Sequence, residues 1–220
     1  MIEIKKGKEP GKLLWYRKQI GASYEDMDKE VKDELLEQLL TEQGHICAYC
    51  MRRIPEVREL PGRVAPVSIE HWLPRNPEDK KDIGQGLDYR NMLAVCSGNR
   101  GCGDDSNMTC DAHRGNRALT VNPCDAKTLC EISYTHSGRI YSTNPVIDTD
   151  LNEILNLNSE AVSLPENRKK VLNALVNDVR KKCGGDISLY CKRKLEEIRS
   201  MHDPKMPFVG IVIWWLEKHM

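Results

Sequence analysis

Net charge is the first thing this sequence lacks. Its 220 residues carry 33 Lys and Arg against 33 Asp and Glu, so bulk electrostatics gives no argument for a polyanionic partner and any phosphate-binding surface has to be local. The charge is laid out unevenly, with net-positive stretches at 1–20 and 166–220 and net-negative ones at 21–43 and 118–165. Long apolar runs are missing as well. The longest, Phe208 to Leu216, is about half of what spans a bilayer, and the opening MIEIKKGKEP has no apolar signal-peptide core, so a soluble, cytoplasmic protein is expected. Repeats and low-complexity tracts are absent. A chain of this length buries one good core, or a small core with helical extensions.

Cysteine, in contrast, is plentiful. Nine cysteines in a chain expected to sit in a reducing compartment argue for metal binding over disulfides. Residues 44–117 are rich in Cys, Gly, Arg, Asn and Pro and show little periodicity, so this stretch is expected to lean on a metal where a large apolar core is lacking. Cys47-Ala48-Tyr49-Cys50 is a Cys-x-x-Cys knuckle, which places two thiolates on one side of a tight turn, as half of a tetrahedral zinc site requires. A redox role would need a thioredoxin-like strand before the pair and a helix after it, whereas here a predicted helix precedes it. Two further ligands are to be drawn from Cys96, Cys102 and Cys110. Cys124, Cys130, Cys183 and Cys191 read as structural thiols, and His45, His136, His202 and His219 carry no functional reading.

The remaining patterns predict a scaffold. Ser23 and Asp26, followed by Val31, Leu35, Leu36, Leu39 and Leu40 and closed by Gly44, predict an amphipathic helix that delivers the chain to the first cysteine pair. Glu131–Tyr134 and Arg139–Ser142 flank the turn residues His136, Ser137 and Gly138 and predict a short hairpin. Ser163 and Glu166 form a capping-box pattern before Val171, Leu172, Leu175, Val176 and Val179, and Gly184–Gly185 ends that helix. Ile187, Tyr190, Cys191, Leu195 and Ile198 line one face of a second helix, and both helices read as core packing. The expected organisation is a basic arm and helix over 1–43, a cysteine-rich core over 44–125, and a hairpin with helices over 126–220.

Three further elements lie between and beyond the cysteine pairs: Glu70-His71 within the apolar-flanked run Ser68–Arg75, Asn91 within Asp88–Cys96, and Cys110-Asp111-Ala112-His113-Arg114-Gly115. In order, Cys-x-x-Cys, acidic-His, Asn-x4-Cys and Cys-[His/Asp]-x-x-[Lys/Arg]-Gly resemble the motif of the HNH, or ββα-metal, endonuclease family with its structural zinc. The resemblance implies an α+β fold, a zinc-stapled ββα-metal core with N-terminal and C-terminal helical extensions, and metal-dependent hydrolysis of phosphodiester bonds. That reaction needs a base to activate water, a cation to take up charge on the phosphate, and a scaffold that holds both in line. By resemblance His71 is the base, with a pKa near neutrality suited to the task, Glu70 is a metal-binding carboxylate, and Asn91 ties down the loop that orients the base. Successive strand residues face opposite ways, so joint use of Glu70 and His71 calls for a local twist.

At the third position the sequence departs from the family's common Cys-His-x-x-Lys. Asp111 fills the usual histidine slot, as a hard oxygen ligand for Mg2+ or Mn2+, and His113 is the alternative. On a helix these two lie roughly 200° apart, so they do not share one ion. By the same register Cys47, Cys50, Cys96 and Cys110 complete the structural zinc site, with Cys102 replacing Cys110 if the Gly98–Ser106 insertion folds back. Trp15-Tyr16-Arg17, Glu42–Cys50, Leu155–Asn158 with Asn167-Arg168, and Pro207–Gly210 extend the resemblance to the HNH subunit of Septu-type and retron-associated anti-phage defence systems. This implies a partner, an ATPase resembling SMC and ABC proteins, for which the basic N-terminal arm and the Phe208–Leu216 segment are the surfaces to test. Three functions stay open: a DNA endonuclease, an RNA-cleaving nuclease, and a non-catalytic zinc-stabilised interaction module.

Overall fold

The structure is a computed structural model and describes residues 1–55, 65–76 and 86–220. Helix α1 spans Gly11–Tyr16 and α2 spans Lys29–Gln43. The second helix begins later than Ser23 and Asp26 predict, because these two close on each other. Ser23 Oγ donates to Asp26 Oδ2 at 2.7 Å and accepts from Asp26 N at 3.2 Å, a self-contained turn that leaves α2 to start after Asp28. From there the apolar spacing holds: Val31, Leu35, Leu39 and Leu40 are buried, and Gly44 ends the helix in the left-handed conformation.

Strands β1 (Val67–His71) and β2 (Met92–Cys96) pair antiparallel, with Val67 opposite Cys96 and His71 opposite Met92. Every residue of β2 is buried, and helix α3 (Cys110–Arg114) and α2 both pack against it. Gln43 at the end of α2 completes the backbone of β2. Its side chain accepts from Ala94 N at 2.8 Å and donates to Ala94 O at 2.7 Å, the pair of bonds a neighbouring strand would make. This β1, β2, α3 unit carries Glu70 and His71 at the end of its first strand, Asn91 just before its second, and Asp111 and His113 on its helix.

After the short helix α4 (Ala126–Leu129), the expected hairpin forms from β3 (Ile132–Tyr134) and β4 (Ile140–Ser142). Helix α5 (Pro145–Thr149) runs into a π-helical turn at Asp150–Ile154, and α6 (Leu164–Lys182), α7 (Ile187–Ser200) and α8 (Val209–Glu217) follow. The capping box at the start of α6 does not form. Ser163 lies at φ 53 with no side-chain cap bond, which turns its hydroxyl away from the orphan N–H groups, and Pro165 in the first turn starts the helix instead. On α7, Cys191, Leu195 and Ile198 are buried as expected, whereas Ile187 is 47% exposed. Cys130 is exposed too, so the core-filling reading does not describe it.

The apolar Phe208–Leu216 segment is covered by its own chain. Val209, Ile211, Val212, Trp215 and Leu216 are buried in α8, which packs against α6, α7 and β3. The fold is therefore α+β, with two small antiparallel sheets among many helices. One buried cluster draws on all three stretches of the chain, from Met1 and Leu35 through Val95 to Leu172 and Leu216. Among the described residues, no helix is long and apolar enough to cross a membrane.

Candidate functional site

Four cysteines converge where the knuckle, β2 and α3 meet. The knuckle residues Cys47 and Cys50 sit between His45 and Met51, both at positive φ, and Met51 N donates to Cys47 O at 2.9 Å, which closes the turn. Cys96 is the last residue of β2, and Cys110 is the first of α3, where Cys110 N donates to Leu155 O at 2.8 Å. The four sulfurs are buried and all lie within 4.8 Å of one another. The sulfurs are 3.7 Å apart for Cys50 and Cys96 and 3.9 Å apart for both Cys47 and Cys110 and Cys96 and Cys110. A tetrahedron with metal–sulfur bonds of about 2.3 Å has edges of about 3.8 Å, so the cluster has the size of a tetrathiolate zinc site. These distances also exclude disulfides. The arrangement could bind a zinc ion.

Cys102, the alternative ligand, is outside the cluster. It is exposed, and its thiol donates to Asp104 O at 3.1 Å. Glycine at position 98 is what brings Cys110 in. Gly98 has φ +59, accepts from Thr109 N at 2.8 Å, and a Cβ on it would lie 2.1 Å from Thr109 O. The sulfurs are strongly coupled. Hydrogen bonds from its neighbours, Cys110 first, hold the Cys50 thiol well below its usual range, while bonds within the same group and burial push Cys110 well above it. Ionising all four buried sulfurs calls for a compensating charge, which a dication would supply.

The second cluster lies at the end of β1. Glu70 is buried, and its Oε1 accepts the Tyr49 hydroxyl at 3.1 Å and Arg114 Nη1. Burial, then the neighbouring charge of Asp111, pushes the Glu70 carboxyl up to about 8, against the pull of Arg114. Asp111 on α3 lies within hydrogen-bonding reach of Glu70, which puts its carboxyl beside this cluster, while its Oδ2 accepts from Arg100 at 2.9 Å. His113 turns the other way. Its Nδ1 meets Ile154 O at 2.9 Å, on the π-helical turn.

His71 is mostly buried, with Nε2 3.0 Å from Gly86 O and its ring edge-on to Tyr24 at 4.6 Å. Its pKa is lower than the near-neutral value expected. Burial takes it down to about 4, the nearby Arg75 charge adding to this and the Gly86 carbonyl opposing it. Asn91 braces the turn after His71 through both ends of its amide, accepting from Leu73 N at 2.7 Å and donating to Leu73 O at 3.0 Å. Its own carbonyl accepts from Trp72 N at 2.9 Å.

No family model matches the chain, and none of the curated proteins matches it.

Two residues of this site had no role in the sequence reading. Arg114, 1% exposed, donates to Glu70, to the Tyr49 hydroxyl at 3.1 Å, to His71 O at 3.1 Å, to Trp72 O and to Arg117 O. Tyr49 reads as an unassigned knuckle residue, yet its hydroxyl reaches the carboxylate. The signal for Arg114 was its fixed place four residues after Cys110. For Tyr49 no local pattern distinguishes a core ring from one whose hydroxyl is used.

Two neighbouring carboxyl groups, a neutral imidazole and surrounding donors can perform acid–base and cation-assisted chemistry. Among the described residues, the four cysteines are the one group of three or more ligand side chains that close on a common point. A hard cation at Glu70 and Asp111 would therefore complete its shell with water or a bound phosphate, which is how Mg2+ is commonly held.

Proposed function

We propose that this protein is a metal-dependent HNH endonuclease that hydrolyses phosphodiester bonds of nucleic acid, DNA in preference to RNA. The reading rests on one observation: Glu70, His71 and Asp111 occupy one neighbourhood, on a two-stranded sheet and a helix that also supply cysteines to the buried tetrathiol cluster. In this reading zinc staples the knuckle, β2 and α3. Glu70 and Asp111 hold Mg2+ or Mn2+, His71 takes the proton from the attacking water, and Asn91 keeps the turn beyond His71 in place. The cation would neutralise charge developing on the phosphate and the leaving oxygen. Asp111 is preferred over His113 because it faces Glu70, and His113 faces Ile154. The ATPase partner and the role in anti-phage defence are proposed on resemblance alone.

The test is cleavage of plasmid DNA and of structured RNA by the purified chain, with Mg2+, with Mn2+ and with chelator. Cation-dependent nicking of DNA that is lost in His71→Ala supports the reading. Cation-dependent cutting confined to RNA keeps the mechanism and changes the substrate. Cutting of neither, by protein that retains zinc, leaves the zinc-stabilised interaction module as the better reading.

A further inference from the structure

Glu70 receives its tyrosine and arginine donors on one oxygen, with the Asp111 carboxyl within hydrogen-bonding reach beside it. Tyr49 and Arg114 both donate to Oε1, and Arg114 Nη1 also reaches the Tyr49 hydroxyl at 3.1 Å, so the three groups close a triangle of hydrogen bonds. Water does not compete there, since Tyr49 is 0% and Arg114 1% exposed. Neither donor touches Oε2. The neighbouring negative charge is the Asp111 carboxylate. Both donors hang from the tetrathiol cluster: Tyr49 lies between Cys47 and Cys50, and Arg114 is one helical turn beyond Cys110.

We infer that Tyr49 and Arg114 are a positioning pair which pins Oε1 of Glu70 so that Oε2 faces a divalent cation shared with Asp111, and that they thereby couple cation affinity to the cysteine cluster. This rests on the cation site proposed above. A free glutamate loses rotamer freedom when it ligates an ion, and a glutamate already fixed by two buried donors loses less, so the fixed one binds more tightly. Partners that orient a ligand without touching the ion are worth about 10–100-fold in metal affinity. Packing accounts for the Tyr49 ring and the Arg114 stem, while the hydroxyl and the guanidinium satisfy the buried Glu70 carboxyl and fix its orientation.

Tyr49→Phe separates the two roles, since it keeps the buried ring and removes the hydroxyl. Mn2+ binding to the zinc-loaded full chain, without nucleic acid, is measured by titration calorimetry and by the loss of the free-ion electron paramagnetic resonance signal, beside Glu70→Gln as the ligand control. The expected result is zinc content and melting temperature close to wild type, with Mn2+ affinity weaker by about 10–100-fold. Arg114→Lys, which keeps the charge and loses the shared fork, is expected to weaken Mn2+ binding as well, and it decides the matter if Tyr49→Phe loses zinc. Mn2+ binding that is unchanged in Tyr49→Phe but lost in Glu70→Gln overturns the inference and leaves the nuclease reading intact. Tyr49-dependent Mn2+ binding by a chain that cuts no nucleic acid upholds the inference and removes the nuclease reading. A wild-type chain that binds no Mn2+ at millimolar concentration overturns both.

Discussion

His71 Nε2 lies 3.0 Å from the carbonyl oxygen of Gly86. A carbonyl only accepts, so Nε2 carries the proton of this bond and the neutral ring presents Nδ1 as its basic nitrogen. Burial keeps the ring neutral, with its pKa lowered to about 4, so the base is unprotonated without help from alkaline solution. If His71 is the general base, His71→Ala lowers cutting by about 10²–10⁴-fold while zinc content and melting temperature stay near wild type. Added Mg2+ or Mn2+ does not restore the rate, because a cation cannot supply a missing base. Wild-type cutting of both DNA and RNA by His71→Ala would falsify the mechanism.

Asp111 and His113 share a five-residue helix and part at its surface, one toward Glu70 and the other toward Ile154. Asp111→Ala is expected to weaken divalent-cation affinity, so that raising Mn2+ recovers part of the lost activity. His113→Ala instead removes a hydrogen bond to the π-helical turn and is expected to lower stability by about 1 kcal/mol at unchanged cation dependence. Parallel Mn2+ titrations of the two variants decide the assignment. The reverse pattern, with rescue of His113→Ala only, would transfer the ligand role to His113.

The tetrathiol cluster predicts a zinc ion bound to each chain purified without chelator, and elemental analysis checks it. Cys47→Ser or Cys50→Ser removes a ligand from a site whose folding and metal binding are linked, so zinc content and the protection of the knuckle, β1 and β2 from hydrogen exchange should fall together. Cys102→Ser should be silent in both measurements, since that thiol is exposed and outside the cluster. Zinc-free wild-type protein of undiminished stability would sink the prediction.

The four clustered cysteines were legible because a Cys-x-x-Cys knuckle and two later cysteines leave few combinations, and burial then separates Cys110 from Cys102. Helices α6 and α7 and the β3–β4 hairpin were legible from periodicity and turn residues, since each buries a simple face. Helix starts were less so. Ser23 and Ser163 each have the residue type of a cap, but the first bonds to Asp26 and the second is left-handed, and local backbone competition of this kind leaves no mark in apolar spacing. The triangle of Tyr49, Glu70 and Arg114 was not legible at all. Its members are 21 and 44 residues apart in sequence, and nothing local to any of them reports a contact made by the tertiary fold.

Gly98 offers a test of how the cluster is assembled. A methyl group there would meet Thr109 O at 2.1 Å on a backbone already at φ +59, so Gly98→Ala combines a backbone clash with left-handed strain. The expected loss is at least about 2 kcal/mol, with reduced zinc retention because Thr109 precedes Cys110. Gly103, at φ +82 with nothing within 4 Å of its would-be Cβ, is the control. Gly103→Ala bears strain alone and should lose only about 1 kcal/mol. Equal effects of the two substitutions, measured by chemical unfolding, would show that the close approach at Gly98 has no structural importance.

The last prediction concerns the proposed ATPase partner. Of the two surfaces open from the sequence, the Phe208–Leu216 segment is already covered by α6, α7 and β3, so it is not free to receive a partner without unfolding. The N-terminal arm is different: Trp15 is 69% exposed and Ile20 fully exposed, with Lys18 between them. Exposed apolar side chains grouped within a few residues, beside a cation, suit a protein interface. If the partner exists, co-expression with an SMC/ABC-like ATPase encoded beside this chain should give one complex on gel filtration. Trp15→Ala combined with Ile20→Glu should release the chain from it and leave cation-dependent cutting by the isolated chain intact, because neither residue touches Glu70, His71 or Asp111. Leu189→Ala, at a 44% exposed apolar position on α7, should leave the complex unaffected. Separate elution of the two proteins at micromolar concentration would count against the partnership itself, and retention of the double variant in the complex would count against this surface.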